Sequence, residues 1–254
     1  MSRIVLLIML FILVPAIITS AAVKPENFVG VWLFDEGKGN IAADLTANKN
    51  DGQISAATKW ADGKFGKGLL FEGTGDVTIA STDALNLGDE FTMMAYFYAN
   101  ALDNWHQIIA KDAQYLLRID PPAEGKNMSA FVSIGGWEPR ASAGVPDTKT
   151  WTHFAATYDR KTTFLTVYVN GLQKAQVGRA GKAIANANPV TIGNWGGSSN
   201  FKGIIDEVAI LNVVLGANDI KDIADNGLKV VLGGGKSVDS SDKLATTWGK
   251  LKGE

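Results

Sequence analysis

Asp206 and Glu207 stand side by side in GIIDEVAILN, residues 203–212, inside what otherwise reads as a strand. Asp35 and Glu36 form a second adjacent pair in LFDE. Carboxylates so placed could act as a catalytic pair, ligate a metal, or sit solvated at a turn. Retaining glycoside hydrolysis needs two carboxylates about 5–5.5 Å apart across the scissile bond. Side chains alternate faces along a regular strand, so Asp206 and Glu207 are expected on opposite faces, where they cannot grip one glycosidic oxygen. No G-x-S-x-G elbow is present to supply a serine nucleophile. The chain has no cysteine and only two histidines, His106 and His153, which excludes thiol chemistry, iron–sulfur clusters and a three-histidine zinc site. His153, in WTHFAATY, is expected to be structural with a backbone hydrogen bond. These residues predict a protein that is not an enzyme.

Oxygen-rich and aromatic residues offer other chemistry. Calcium takes six to eight oxygen ligands, and DLTANKNDG (residues 44–52) gathers Asp44, Asn48, Asn50 and Asp51 in one loop without the spacing of an EF-hand. Seven tryptophans are present. Trp137 in GGWEPR and Trp195 in GNWGGSSN lie in glycine-rich loops, and Trp105 in NWH lies at a loop–strand junction; all three are candidates to stack on a ligand. In FTMMAYFYA, Phe91, Met93, Ala95 and Phe97 are expected to face the core, leaving Tyr96 and Tyr98 on the other face to line a shallow sugar groove. Trp32, Trp60 and Trp151 are assigned to the core.

The elements that must position these residues are mostly strands. Short apolar runs at 28–34, 68–71, 76–80, 91–99, 106–111, 115–119, 129–134, 152–158, 164–169, 189–193 and 203–211 alternate with Gly and Asn turns, the signature of a sandwich or barrel. Asn170-Gly171 supplies the two positive-φ positions of a type I′ turn, so residues 164–169 should pair antiparallel with 172–177. One helix is expected at 215–227, with Ile220, Ile223 and Ala224 as its apolar stripe, covering an edge of the sandwich. Arg3, the apolar run 5–18 and Ser20-Ala21-Ala22 form a secretory signal pattern. The predicted organisation is a signal peptide at 1–22, a domain at 23–228 and a glycine-rich polar tail at 229–254. Export places the mature chain in the cell envelope or outside the cell, with no stable membrane span. A net charge of -2 gives no field that would attract nucleic acid.

The ordered set VGVWLFDEGKGNIAADLTANKNDGQI, GKFGKGLLFEG, WTHFAATYD, VYVNG, FKGIIDEVAILN and LGANDIKDI resembles the laminin-G-like, concanavalin-A-type jelly-roll domain of bacterial exported proteins. The resemblance spans residues 28–224. It implies an all-β fold of two antiparallel sheets packed face to face, binding of carbohydrate or an extracellular protein, and a structural calcium ion. It also implies that the loop after the first strand lies near the last strand, so that Asp44 and Asp51 meet Asp206 or Glu207 around that ion. The fold hosts lectins, glycoside hydrolases and spacers alike. The function expected is therefore a non-catalytic binding module, with a structural or adhesive envelope domain, or a hydrolase, as alternatives.

Overall fold

The computed structural model describes residues 23–197, 199–229 and 231–232. The expected signal peptide and nearly all of the tail, Trp248 included, lie outside the described residues. In chain order the strands are β1 (Phe28–Trp32), β2 (Ile41–Ala42), β3 (Gly52–Ile54), β4 (Lys59–Asp62), β5 (Lys67–Glu72), β6 (Val77–Ile79), β7 (Glu90–Ala99), β8 (His106–Lys111) and β9 (Tyr115–Ile119). They continue as β10 (Met128–Val132), β11 (Ala141–Ser142), β12 (Trp151–Asp159), β13 (Phe164–Val169), β14 (Leu172–Gly178), β15 (Val190–Ile192) and β16 (Lys202–Leu211), followed by the helix α1 (Ala217–Asn226). The hydrophobic runs do not anticipate β2, β3, β4 and β11, which are two to four residues long and carry no such run.

The strands form two antiparallel sheets packed as a jelly-roll sandwich. The first has the order β14-β13-β12-β7-β16-β5-β4, with β1 also on β16. The second has the order β11-β10-β9-β8-β15-β6-β3-β2. Alternation decides what lies between them. Phe91, Met93, Ala95 and Phe97 of β7 meet Ile109, Tyr115, Leu117, Ala130 and Val132 of the second sheet in one core. Trp32 is fully buried there, whereas Trp60 is half-buried at the margin of the core. Trp151 is corrected outright: it is half-buried on the outer face of the first sheet, 5.7 Å from the Tyr98 ring.

Asn170 and Gly171 have φ of +49° and +77°, and β13 and β14 pair across them as the turn requires. The helix corrects its expected place. Ile220 and Ile223 pack with Phe28, Met94, Ala155, Tyr168 and Leu211, which project from the outer face of the first sheet, so α1 covers a face and not an edge. The reason lies in the sheet: Met94, Tyr168, Ala209 and Leu211 make that face apolar, and it must be buried. Each isoleucine so buried contributes about 1.5–3 kcal/mol.

Candidate functional site

The acids of GIIDEVAILN do not alternate. Asp206 pairs with Tyr96 and Ala209 with Met94, so two residues of β16 bulge out against one position of β7. Glu207 carries the bulge at φ +45°. This extra residue turns both carboxylates to the outer face and returns Val208 and Ile210 to the core, which corrects the expectation of opposite faces. The bulge falls where the partner of β16 changes from β5, at Lys202–Ile205, to β1, at Val208–Leu211. Each acid then closes a neighbouring chain segment. Asp206 accepts from Phe65 N–H (3.0 Å), capping the turn between β4 and β5, and from Glu207 N–H (2.7 Å). Glu207 accepts from Leu228 N–H (2.6 Å), just past the end of α1. Burial pushes both carboxyls up to about 7. Asp206 is buried under the turn between β4 and β5, and Glu207 under the segment that follows α1.

The oxygen-rich loop serves the edge of β1. Asp44 is buried and accepts from Val31 N–H (2.9 Å), Thr46 N–H (2.9 Å), the Thr46 hydroxyl (2.7 Å) and Asn50 N–H (2.8 Å). Asn48 and Asn50 donate side-chain amides to Val29 C=O, and Asp51 accepts from Asp44 N–H (2.8 Å). The loop thus supplies hydrogen-bond partners along β1 where no strand pairs with it. Among the described residues no three acids or histidines gather as a metal site. The four acids expected to share a calcium ion, Asp44, Asp51, Asp206 and Glu207, do not gather in one place; both oxygens of Asp44 and of Asp206 accept backbone or hydroxyl donors, whereas Glu207 Oε1 has no partner. Relatedly, His153 lies buried against the Tyr96 ring (4.8 Å) with neither ring nitrogen hydrogen-bonded, contrary to the expected backbone contact. Tyr96 is also corrected as a groove residue. It is 2% exposed, and its hydroxyl donates to Ile223 C=O of α1 (2.6 Å). Tyr98 remains half-buried beside Trp151.

The three loop tryptophans, by contrast, come together on the outer face of the second sheet. Alternation in β9 and β10 sends Tyr115, Leu117, Ala130 and Val132 inward and Leu116, Arg118, Ser129 and Phe131 outward. The Trp137 ring stands edge-on to Phe131 (centroids 6.3 Å) and to Trp195 (centroids 6.0 Å). Trp105, 38% exposed, and Trp195 line a cavity of about 380 Å³ together with Arg118, Glu124, Gly196 and Ser199.

Charged groups fix the floor of this cavity. Arg118 donates to Asp120 (2.8 Å) and Glu124 (2.7 Å), and its guanidinium lies 4.5 Å over the Phe131 ring. Arg140 also bonds Glu124 and lies 3.5 Å from Asp120, which in turn accepts from the Ser129 hydroxyl (2.6 Å). Burial alone would raise the Glu124 carboxyl, but its contacts with Arg140, Arg118 and the Trp105 indole outweigh burial and hold it below the usual range. From behind, Arg179 pins the loop that carries Trp137: its guanidinium is nearly buried and donates to Val132, Gly136 and Glu138 carbonyls. Period-two alternation in YLLRI is the signal that could have found Arg118. Glu124, in PPAEG, and Arg179 join the site only through tertiary contacts.

Residues 71–221, more than half of the chain, match the family described as the Concanavalin A-like lectin/glucanases superfamily. The chain belongs to this superfamily. Solved structures share its concanavalin A-like sandwich. Domain 4 of AbnA, a GH43 extracellular arabinanase from Geobacillus stearothermophilus solved in complex with arabinotriose, is 23% identical, with a TM-score of 0.64, over 78% of this chain and 98% of that one. The binding domain of Paraclostridial Mosquitocidal Protein 1 is 13% identical, with a TM-score of 0.66, over 79% of this chain and 52% of that one. The binding domain of Botulinum Neurotoxin serotype G is 13% identical, with a TM-score of 0.60, over 78% of this chain and 50% of that one. The chain thus spans about half the length of the two toxin binding domains. At these identities the likeness concerns the fold. A comparison with curated proteins finds no match. Among the described residues no helix is long and apolar enough to cross a membrane.

Proposed function

We propose that this superfamily member is an exported, non-catalytic module that binds carbohydrate on the outer face of its second sheet. The observation that carries the reading is the cavity in which Trp105 and Trp195 flank the fixed Arg118–Glu124 pair. Indole faces match the apolar faces of sugar rings, and an adjacent donor and acceptor match sugar hydroxyls, which both give and take hydrogen bonds. The arabinotriose complex of the similar Domain 4 supports a saccharide over other ligands. Non-catalysis is supported by the carboxylates themselves. Glu124 and Asp120 are tied to guanidinium groups, and the pair with raised proton affinity, Asp206 and Glu207, is buried under the β4–β5 turn and the segment after α1. Export rests on the N-terminal pattern of the sequence.

The test is a glycan array probed with the full chain, followed by titration of the hits against Trp105→Ala and Trp195→Ala. Each substitution should weaken binding by about tenfold or more, equivalent to about 1.4 kcal/mol per factor of ten, with the melting temperature little changed. Binding that neither substitution alters would move the site elsewhere on the molecule. Capture by no saccharide at all would favour an extracellular protein partner or an adhesive role.

A further inference from the structure

Resting on that reading, we infer that the cavity selects uncharged oligosaccharides and rejects acidic ones. The charges that line the cavity, Arg118 and Glu124, are balanced together with the Arg140 and Asp120 bonded to them. Two guanidinium groups, Arg118 and Arg140, face two carboxylates, Asp120 and Glu124, and each guanidinium is engaged by both acids. A third carboxylate, Glu138, lies 3.6 Å from Arg140 on the outer side. A uronate or sulfate entering toward Arg118 would find that guanidinium already bound, and would be set against Glu124 and fully buried Asp120. Repulsion of this kind is how a site excludes the wrong ligand. A neutral sugar meets no such opposition. Its hydroxyls can donate to the Glu124 oxygens and accept from the Arg118 fork without breaking the ion pairs, while Trp105 and Trp195 offer rings to its apolar faces.

The low proton affinity of Glu124 is consistent with the same geometry, since it keeps an ionised acceptor in place. A site built for acidic glycans would leave a guanidinium unpaired, as anion sites do when they use the Arg fork to hold a carboxylate or sulfate. Here the charge of both guanidinium groups is balanced by the protein's own acids, while N–H groups of Arg118 beyond those two contacts are left to donate to a hydroxyl.

The test uses the full chain and two sets of probes of equal length, read by tryptophan fluorescence and calorimetry. One set is neutral: arabino-, xylo-, galacto-, manno- and gluco-oligosaccharides. The other is acidic: oligogalacturonates and heparin oligosaccharides. At least one neutral probe should bind, and its affinity should change less than about twofold between about 50 and 500 mM NaCl, because no net charge is neutralised on binding. Glu124→Gln should weaken that neutral probe by about tenfold and raise affinity for the acidic set, since it leaves Asp120 alone against two guanidinium groups. Lys161→Gln, at an exposed ion pair with Glu90 outside the cavity, should leave both affinities unchanged and is the control, while melting temperatures report whether Glu124→Gln folds. Preference of the wild type for an acidic probe, or binding that falls steeply with salt, would overturn the inference while leaving carbohydrate binding intact. Failure of both sets would sink the carbohydrate reading itself and the inference with it.

Discussion

Asp206 and Glu207 show what burial does to the proton affinity of a carboxylate held by backbone N–H groups. Their proton affinities are raised because burial disfavours the charged form more than the backbone N–H contacts favour it. The folded chain therefore holds protons that the unfolded chain releases between about pH 4 and pH 7. Their favourable contribution is present below about pH 4 and is lost as pH rises through about 7. His153 works in the opposite sense. Burial lowers its pKa to about 3, so its contribution is complete above the unfolded value near 6.5 and fades as pH falls. Asp206→Asn separates these effects, because it removes one acid from the titration and leaves His153 in place. The variant loses part of the turn cap and should be less stable than the wild type at pH 5. The deficit should shrink by roughly 1–3 kcal/mol on going to pH 8. Urea unfolding of both proteins at the two pH values measures it, and a deficit independent of pH would show that Asp206 ionises as freely in the fold as outside it.

At the scale of elements, the β13–β14 hairpin and α1 depend on one another. The Asn-Gly turn demands positive φ, as the sequence alone indicates. The structure adds a second demand. A β-carbon at position 171 would lie 2.6 Å from Lys221 Cδ and 2.8 Å from Lys221 Cα, so the bare turn is what lets the helix approach. Gly171→Val should therefore strain the turn and displace α1 together, costing on the order of 3 kcal/mol, more than either effect alone. Denaturation midpoints report the total. A quench in helix signal before global unfolding would report the undocking, and an unchanged midpoint would refute both roles. Gly227 is held in the same way, since a β-carbon there would lie 2.7 Å from Glu207 Oε2. The helix thus sits between two glycines and over one glutamate, which explains why Tyr96, read from alternation as a groove residue, is closed off.

Across the whole molecule, the two sheets have divided their outer faces between them. That of the first sheet is covered by α1. That of the second carries the tryptophan cavity. If Asp44 and Asp51 close the edge of β1 by hydrogen bonds alone, stability should not depend on calcium. Thermal melts in EDTA and in millimolar calcium should coincide. A ligand that binds only the folded state at one hundred times its Kd would add about 2.7 kcal/mol, so a resident ion would be plain in the comparison.

The sandwich, its core strands and its hairpin were legible in the sequence because period-two alternation and the Asn-Gly turn act locally. Phe91, Met93, Ala95 and Phe97 face inward as their spacing requires. The loop tryptophans could be named individually as candidates, since large rings in glycine-rich loops have little local reason to be there. Their meeting could not be read, because Trp105, Trp137 and Trp195 are joined by pairing of β8, β9, β10 and β15, which are distant in the chain. The bulge at Glu207 was hidden for a related reason. It arises where β16 passes from one partner strand to another, and no residue of GIIDEVAILN records that change. Alternation fixes which way a side chain points only while the register is regular; where β16 slips by one residue, the tertiary partners Phe65 and Leu228 decide where Asp206 and Glu207 go.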